Sequence, residues 1–256
     1  AGISKFVLVD YKLVTKSSID RHLFTRLNDI GLAKVEVLKN YLKTIDSTVT
    51  IDTYQECLLP QTDLSKWITD DTNLIINSCD EPYIGHTSVK VGRYAQIRNI
   101  PLYVAGGFDA HLMSSGELIY PPYTPCIDCT QQTFTKALGD WKPIYSTTAQ
   151  IKNIVHLKET VSISSDISKS YQIGGAGGLI MMNGFSAHLS CLKILQFLAE
   201  DSTYDYKTIR YEYLPNNGAL TEFEMQKQEQ CHVCNHLFTF TSKCRDCGSR
   251  EYSRVF

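Results

Sequence analysis

Short apolar runs that end in an acid alternate, through the first hundred residues, with segments whose apolar positions recur every three to four. KFVLVD, residues 5–10, is the first such run and reads as a buried parallel strand. SSIDRHLFTRLND then shows an N-cap-like serine and mixed helical spacing, and GLAKVEVLKNYLKTID places Val35, Leu38, Tyr41 and Leu42 on one helical face. TVTIDTY (48–54) is a β-branched strand, and NLIINSCD (73–80) is another buried strand closed by an acid. A helix from about residue 86 to 98 leads to PLYVAGGF, a strand followed by glycines. This alternation predicts a parallel α/β sheet with its functional groups at the strand C-termini.

The pattern changes after GGFDAHLMSSGELIYPP. Residues 140–172 are rich in Ser, Thr and Lys with weak periodicity and read as a long crossover. GGAGGLIMMNGFSAHLSCLKILQFLAE, from Gly174, opens with glycines and continues as a long apolar helix. No strand-and-turn signature precedes GGAGG, so tight packing at a helix start is the better reading than a phosphate loop. TIRYEYL and ALTEFEM flank Asn216-Asn217-Gly218, a hairpin signal. A nucleotide-binding α/β unit opens with a strand and a Gly-rich loop ahead of a segment like KFVLVD. Here that βα unit is expected to be either lost or supplied by a separate fragment or chain.

Composition narrows the classes. The 256 residues are 43% hydrophobic and 20% charged, with a net charge of -2. Lys and Arg are spread among acids, which leaves no nucleic-acid footprint. No run of eighteen apolar residues marks a membrane span, and the first residues lack signal-peptide regions, so a cytoplasmic protein is expected. In a reducing compartment Cys-x-x-Cys pairs read as metal ligands before disulfides. Six of nine cysteines form such pairs: Cys126/Cys129, Cys231/Cys234 and Cys244/Cys247. The last two pairs, nine residues apart, would make a local zinc ribbon; either of them could instead join Cys126/Cys129. In every pairing four thiolates fill the coordination sphere, which makes the metal structural. The single cysteines Cys57, Cys79 and Cys191 are expected to be inert packing residues. His111 and His156 are loop or strand-end candidates for substrate contact, although a lone histidine is more often structural.

Several segments together resemble the ubiquitin-activating-type superfamily of ThiF/MoeB adenylyltransferases, and within it the peptide-adenylating MccB type. The resemblance runs from residue 1 to about 234. VDYKLVTKSSIDRHLF stands where the family has a strand-ending acid followed by Ser-Asn-Leu-x-Arg-Gln. GLAKVEV, thirteen residues on from Arg21, carries the Gly-x-x-Lys lysine, Lys34. NSCDEP matches the magnesium-aspartate motif at Asp80, and IPLYVAGGF followed by Pro-Cys-x-x-Cys matches the next block. Three positions depart from the family: Lys12 replaces an acid, Ser18 an asparagine and His22 a glutamine.

The resemblance implies a Rossmann-like, mostly parallel α/β sheet with a C-terminal β-hairpin and a four-cysteine zinc clasp. Residues 1–200 would form the adenylation domain, lacking its first βα unit, and 201–256 the hairpin and zinc-binding tail. It implies ATP, with Asp10 on the ribose, Ser18 beside it, Arg21 and Lys34 on the phosphates and Asp80 on Mg²⁺. It selects Cys126, Cys129, Cys231 and Cys234 as the zinc ligands, with Cys244 and Cys247 left as a spare pair. The implied reaction is ATP-dependent adenylation of the C-terminal carboxylate of a peptide or a small ubiquitin-like sulfur-carrier protein, by a homodimer. The alternative is a catalytically degenerate partner that binds a peptide without adenylating it. Residues 130–190 contain no transfer cysteine, and strict alternation would turn Cys79 to the opposite strand face from Asp80.

Overall fold

A computed structural model describes residues 2–80, 84–106, 108–109, 112–121, 123–138, 180–199, 207–214 and 217–235. The expected crossover, the GGAGG glycines, His111, His156, Cys244 and Cys247 lie outside the described residues. The chain divides into two units, Ala1–Leu58 with Gly177–Phe185, and Leu59–Ala176 with Ser186–Phe256.

In the first unit, β1 (Lys5–Val9) and β2 (Thr50–Tyr54) pair in parallel, from Lys5 opposite Thr50 to Val9 opposite Tyr54. Parallel neighbours need a crossover. It contains α1 (Lys16–Ile19), a single turn, and α2 (Lys34–Ile45), which packs on both strands. On α2 Val35 and Val37 are buried while Leu38, Tyr41 and Leu42 of the expected face are half-buried, and Ile51 is buried on β2.

The second unit holds two sheets. In the first, β3 (Ile75–Asn77) and β4 (Leu102–Val104) are parallel and β7 (Glu117–Ile119) runs antiparallel beside β4. Helix α3 (Ile84–Ile97) connects the parallel pair and packs on both of its strands. The second sheet is antiparallel in the order β5 (Phe108–Asp109), β6 (Leu112–Ser114), β8 (Ile209–Leu214), β9 (Ala219–Glu224). The turn Ser115-Gly116 links β6 to β7 and so joins the two sheets. Ser115 N–H donates to the Tyr211 carbonyl at 3.0 Å. Gly116 sits at φ +77, and a Cβ there would lie 2.3 Å from the Val104 carbonyl oxygen, so the close turn requires glycine. Helices α4 (Ile127–Leu138), α5 (Ile180–Leu198) and the single turn α6 (His232–Asn235) complete the described elements. No helix among the described residues is long and apolar enough to cross a membrane.

The parallel pairs and the C-terminal hairpin stand where the apolar runs place them. Four features differ from expectation. Strands β5 to β7 are two or three residues long and too short to show a period. Helix α4, directly after Cys126, was not legible. Strand β3 stops at Asn77, so Cys79 and Asp80 lie beyond it and the alternation that would separate their faces does not apply. Cys191 is exposed on α5 instead of packed, while Cys57 and Cys79 are half-buried.

Leu102 and Tyr103 are fully buried at the centre of the second unit, and α3 meets α4 beside them. The approach is close at Gly92, where an added Cβ would lie 2.7 Å from the Ile127 Cβ. Gly92→Val is therefore expected to cost about 2–3 kcal/mol by overpacking, read from chemical denaturation midpoints. Shrinking Ile127 to Ala in the same chain should recover part of that loss.

Candidate functional site

Four cysteines converge from two segments. Cys126 and Cys129 lie at the start of α4, and Cys231 and Cys234 at α6. Their sulfur atoms all lie within 4.8 Å of one another. Cys126 Sγ is 3.6 Å from Cys231 Sγ, and Cys129 Sγ is 3.5 Å from Cys234 Sγ. These separations are too long for disulfides, whose S–S bond is about 2.0 Å. They approach the edge of about 3.8 Å of a tetrahedron with Zn–S bonds of about 2.3 Å. Cys126, Cys129 and Cys231 are fully buried, with Val233 packed against them. Gln228 N–H donates to Cys129 Sγ at 3.3 Å, as a partner of thiolate sulfur should. Interaction with Cys234, then burial, pushes the Cys126 thiol up, while the same interaction pulls Cys234 down to about 5. One sulfur thus ionises readily and the others follow when a divalent cation binds. The donor set fits a closed, structural tetrahedral metal.

The strand end after β1 gathers a second set of groups. The chain from 12 to 14 folds back on 31 to 34: Val14 N–H donates to the Leu32 carbonyl at 2.8 Å, Gly31 N–H to Val14 at 2.9 Å and Lys34 N–H to Lys12 at 3.1 Å. This folding sets Lys34 Nζ 4.0 Å from Asp10 Oδ2. The pair is partly exposed, so it contributes only about 0–1 kcal/mol and matters for placement. Asp10 Oδ1 accepts the Lys12 N–H at 2.8 Å, which fixes the carboxylate just past the strand. Ser18 is buried, its hydroxyl accepting the Thr15 N–H at 3.0 Å as a helix cap and its carbonyl accepting from Arg21, His22 and Thr25. Arg21 is exposed, with Nε donating to the Ser17 carbonyl at 3.1 Å and Nη2 to its hydroxyl at 3.2 Å.

His22 stands among these groups. Its ring stacks on Phe24 with centroids 5.2 Å apart, and its Nδ1 is buried without a hydrogen-bond partner among the described residues. Burial, then the Lys34 and Arg21 cations, pull the imidazole down to about 4, against an opposing effect of Asp10. Asp10, Arg21 and Lys34 are therefore all within electrostatic reach of one neutral ring. A cavity of about 660 Å³ opens beside it, walled by Ile19, Leu23, Leu27 and Ile180, with Thr25, Arg26 and Asn28 as polar lining.

In the second unit Asp80 is exposed three residues after the end of β3. Sequence reasoning missed the buried polar groups of this unit. Glu117 is 2% exposed and its Oε1 accepts from Arg210 Nη1 at 2.9 Å. Burial pushes its carboxyl up while Arg210 opposes. Lys193 Nζ donates to the Ile209 carbonyl and stands 5.0 Å from the Tyr211 ring centre, and burial pulls the ammonium down to about 8. Residues 93 positions apart pair here, and no local motif signals that.

A profile of the ThiF family matches residues 1–233, and the chain belongs to that family. No curated protein sequence matches the chain. Among solved structures, E. coli MccB with ATP is similar at a TM-score of 0.65 and 19% identity, over 91% of this chain and 60% of that one. E. coli MccB with MccA-N7isoASN gives 0.64 and 18%, over 91% and 61%. PaaA gives 0.55 and 17%, over 89% and 58%. At this identity the likeness shows the fold. The chain spans about three fifths of the length of these proteins.

Two outcomes are expected. His22 has a folded pKa below its unfolded value, so the unfolded state binds more protons between pH 4 and 6.5. The stability His22 contributes is full above that window and lost as pH falls through it. An NMR titration should place the His22 midpoint well below 6.5, and His22→Gln should flatten the acid side of the stability profile. Elemental analysis should find one zinc per chain. Cys231→Ser should release it and lower the melting temperature, whereas Cys57→Ser should do neither.

Proposed function

We propose that this chain carries out ATP-dependent adenylation of the C-terminal carboxylate of a peptide or a small ubiquitin-like sulfur-carrier protein. The observation that carries the reading is the pairing of Lys34 with Asp10 at 4.0 Å at the C-terminal end of a parallel strand. Membership of the ThiF family supports it. In the reaction, a carboxylate oxygen of the substrate forms a bond to the α-phosphorus of ATP. The bond from that phosphorus to the bridging oxygen of pyrophosphate breaks, and pyrophosphate leaves with its electron pair. Charge rises on the phosphoryl oxygens and leaving group, so positioned cations provide most of the catalysis.

Arg21 can turn its guanidinium fork from Ser17 to phosphate oxygens, and Lys34 adds a point charge. Asp10, held by the Lys12 N–H, accepts from ribose hydroxyls. Ser18 caps the short helix that aims Arg21, rather than meeting the nucleotide with its own buried hydroxyl. Neutral His22 adds no third positive charge beside Arg21 and Lys34. Asp80 offers one exposed carboxylate, which suits Mg²⁺, an ion commonly held by one or two carboxylates together with phosphate oxygens. That ion, when bound, neutralises phosphate charge. The Cys126, Cys129, Cys231 and Cys234 set holds zinc for structure. We place residues 1–200 in the adenylation domain and 201–256 in the hairpin-and-zinc tail, in a cytoplasmic homodimer.

The purified protein, given its peptide, is expected to exchange label between pyrophosphate and ATP. Arg21→Ala and Lys34→Ala should each lower kcat/KM by roughly 10²–10³-fold. Asp80→Ala should abolish Mg²⁺-dependent exchange, and full activity in that variant would remove Asp80 from the metal site. Peptide binding without any exchange would identify a degenerate binding partner instead.

A further inference from the structure

We infer that Thr87 is a positioning residue that sets the direction of Asp80, an inference that rests on the magnesium role proposed for that aspartate. Strand β3 ends at Asn77, and the chain reaches Asp80 three residues later. Nothing in the sequence between them, Ser78-Cys79, dictates one conformation. The backbone there is held by side chains. Asn77 Oδ1 accepts the Cys79 N–H at 3.3 Å. The Thr87 hydroxyl, from the first turn of α3, donates to the Cys79 carbonyl at 2.5 Å. Both backbone polar groups of Cys79 are thus tied to buried side chains.

The second tie matters most. The Cys79 carbonyl belongs to the peptide group directly before Asp80, so fixing that oxygen fixes the plane from which the Asp80 side chain departs. The tie is itself braced. Asn77 Nδ2 donates to Thr87 Oγ1 at 3.2 Å and to Ser88 Oγ at 2.9 Å. Asn77, Thr87 and Ser88 are 5%, 4% and 0% exposed, so water cannot replace these partners. The Asn77 carbonyl also accepts from Ala105 N–H at 2.8 Å, which anchors the network to the chain after β4.

The rival role for Thr87 is the common one for threonine in a helix, a back-bond to its own preceding turn. The Ile84 carbonyl is available for that at 3.0 Å. A hydroxyl has one proton, and the Cys79 oxygen is the nearer acceptor. Its orientation by the incoming Asn77 bond leaves that proton for an acceptor outside the helix. Asp80 itself is exposed and offers its carboxylate to solvent. The network therefore spends its buried groups on the backbone and leaves the ligand oxygens clear. That is how an outer shell behaves around a hard cation.

The test follows Mn²⁺, as a probe for the Mg²⁺ site, by the loss of its free EPR signal on titration into the full chain. A non-hydrolysable ATP analogue with a methylene between the α- and β-phosphates is present throughout. Thr87→Val keeps the shape and deletes the hydroxyl, and is expected to weaken Mn²⁺ binding by roughly 10-fold. Thr87→Ser should restore it. Ser88→Ala removes the other acceptor of Asn77 without touching the Cys79 carbonyl. It should lower the melting temperature as Thr87→Val does, yet leave Mn²⁺ affinity unchanged. A merely structural role would move both variants together in both readouts. Wild-type affinity in Thr87→Val overturns the positioning role while leaving the magnesium reading intact. Wild-type affinity in Asp80→Ala overturns the magnesium reading, and the positioning role with it. Thr87→Cys, close in shape and a weak donor, makes the same comparison should the valine variant fail to fold.

Discussion

Four sulfur atoms drawn into a buried space less than 5 Å wide are the constraint on which the second unit depends. Thiols packed this way cannot share hydrogen bonds well enough to replace water, and thiolates without a cation would repel one another. A tetrahedral metal would resolve both problems, and the cluster requires that residues 105 positions apart arrive together. Helix α4 therefore starts where Cys126 and Cys129 are required. The chain after β9 turns to present Cys231 and Cys234, and Gln228 gives its N–H to Cys129. Along the chain the β8–β9 hairpin lies between these two deliveries.

Within that frame the interior carries charge. Glu117, Arg210 and Lys193 sit where apolar side chains would pack more cheaply, because a buried ion pair seldom repays its desolvation. What the arrangement achieves is direction. Arg210 reaches from β8 to Glu117 on β7, and Lys193 reaches from α5 to the Ile209 carbonyl. Each bond crosses between elements that apolar contact alone would leave free to slide. The Ser115-Gly116 turn adds a backbone version of the same restraint.

The two parallel pairs end in polar devices of a common kind. After β1, the Lys12 N–H holds Asp10 and the folded-back segment delivers Lys34. After β3, Asn77 and Thr87 hold Cys79 and so present Asp80. In both, backbone groups that the strand no longer satisfies are taken up by side chains, and an acid is left facing outward. Strand C-termini are suited to binding charged ligands for this reason, since rigid elements end there while their last polar groups still need partners.

The sequence by itself determined the strands and helices marked by apolar runs or helical spacing: β1, α2, β2, β3, α3, β4, α5 and the β8–β9 hairpin. It also placed Asp10 and Asp80 at the ends of apolar runs, because an acid closing such a run is a local signal, whereas Arg21 and Lys34 were singled out only by the resemblance to the ThiF family. Only the tertiary structure decided the rest. Strands β5 to β7 are too short to carry a period, and pairing makes them strands: β5 with β6, β6 also with β8, and β7 with β4. Six cysteines in three pairs permit several tetrahedra, and the approach of α4 to α6 brings Cys126, Cys129, Cys231 and Cys234 together. Thr87 reads as an ordinary helical threonine until its hydroxyl is seen to reach the carbonyl of Cys79. The division is physical: periodicity reports how one segment meets a surface, whereas a buried polar bond depends on two segments whose meeting neither one encodes alone.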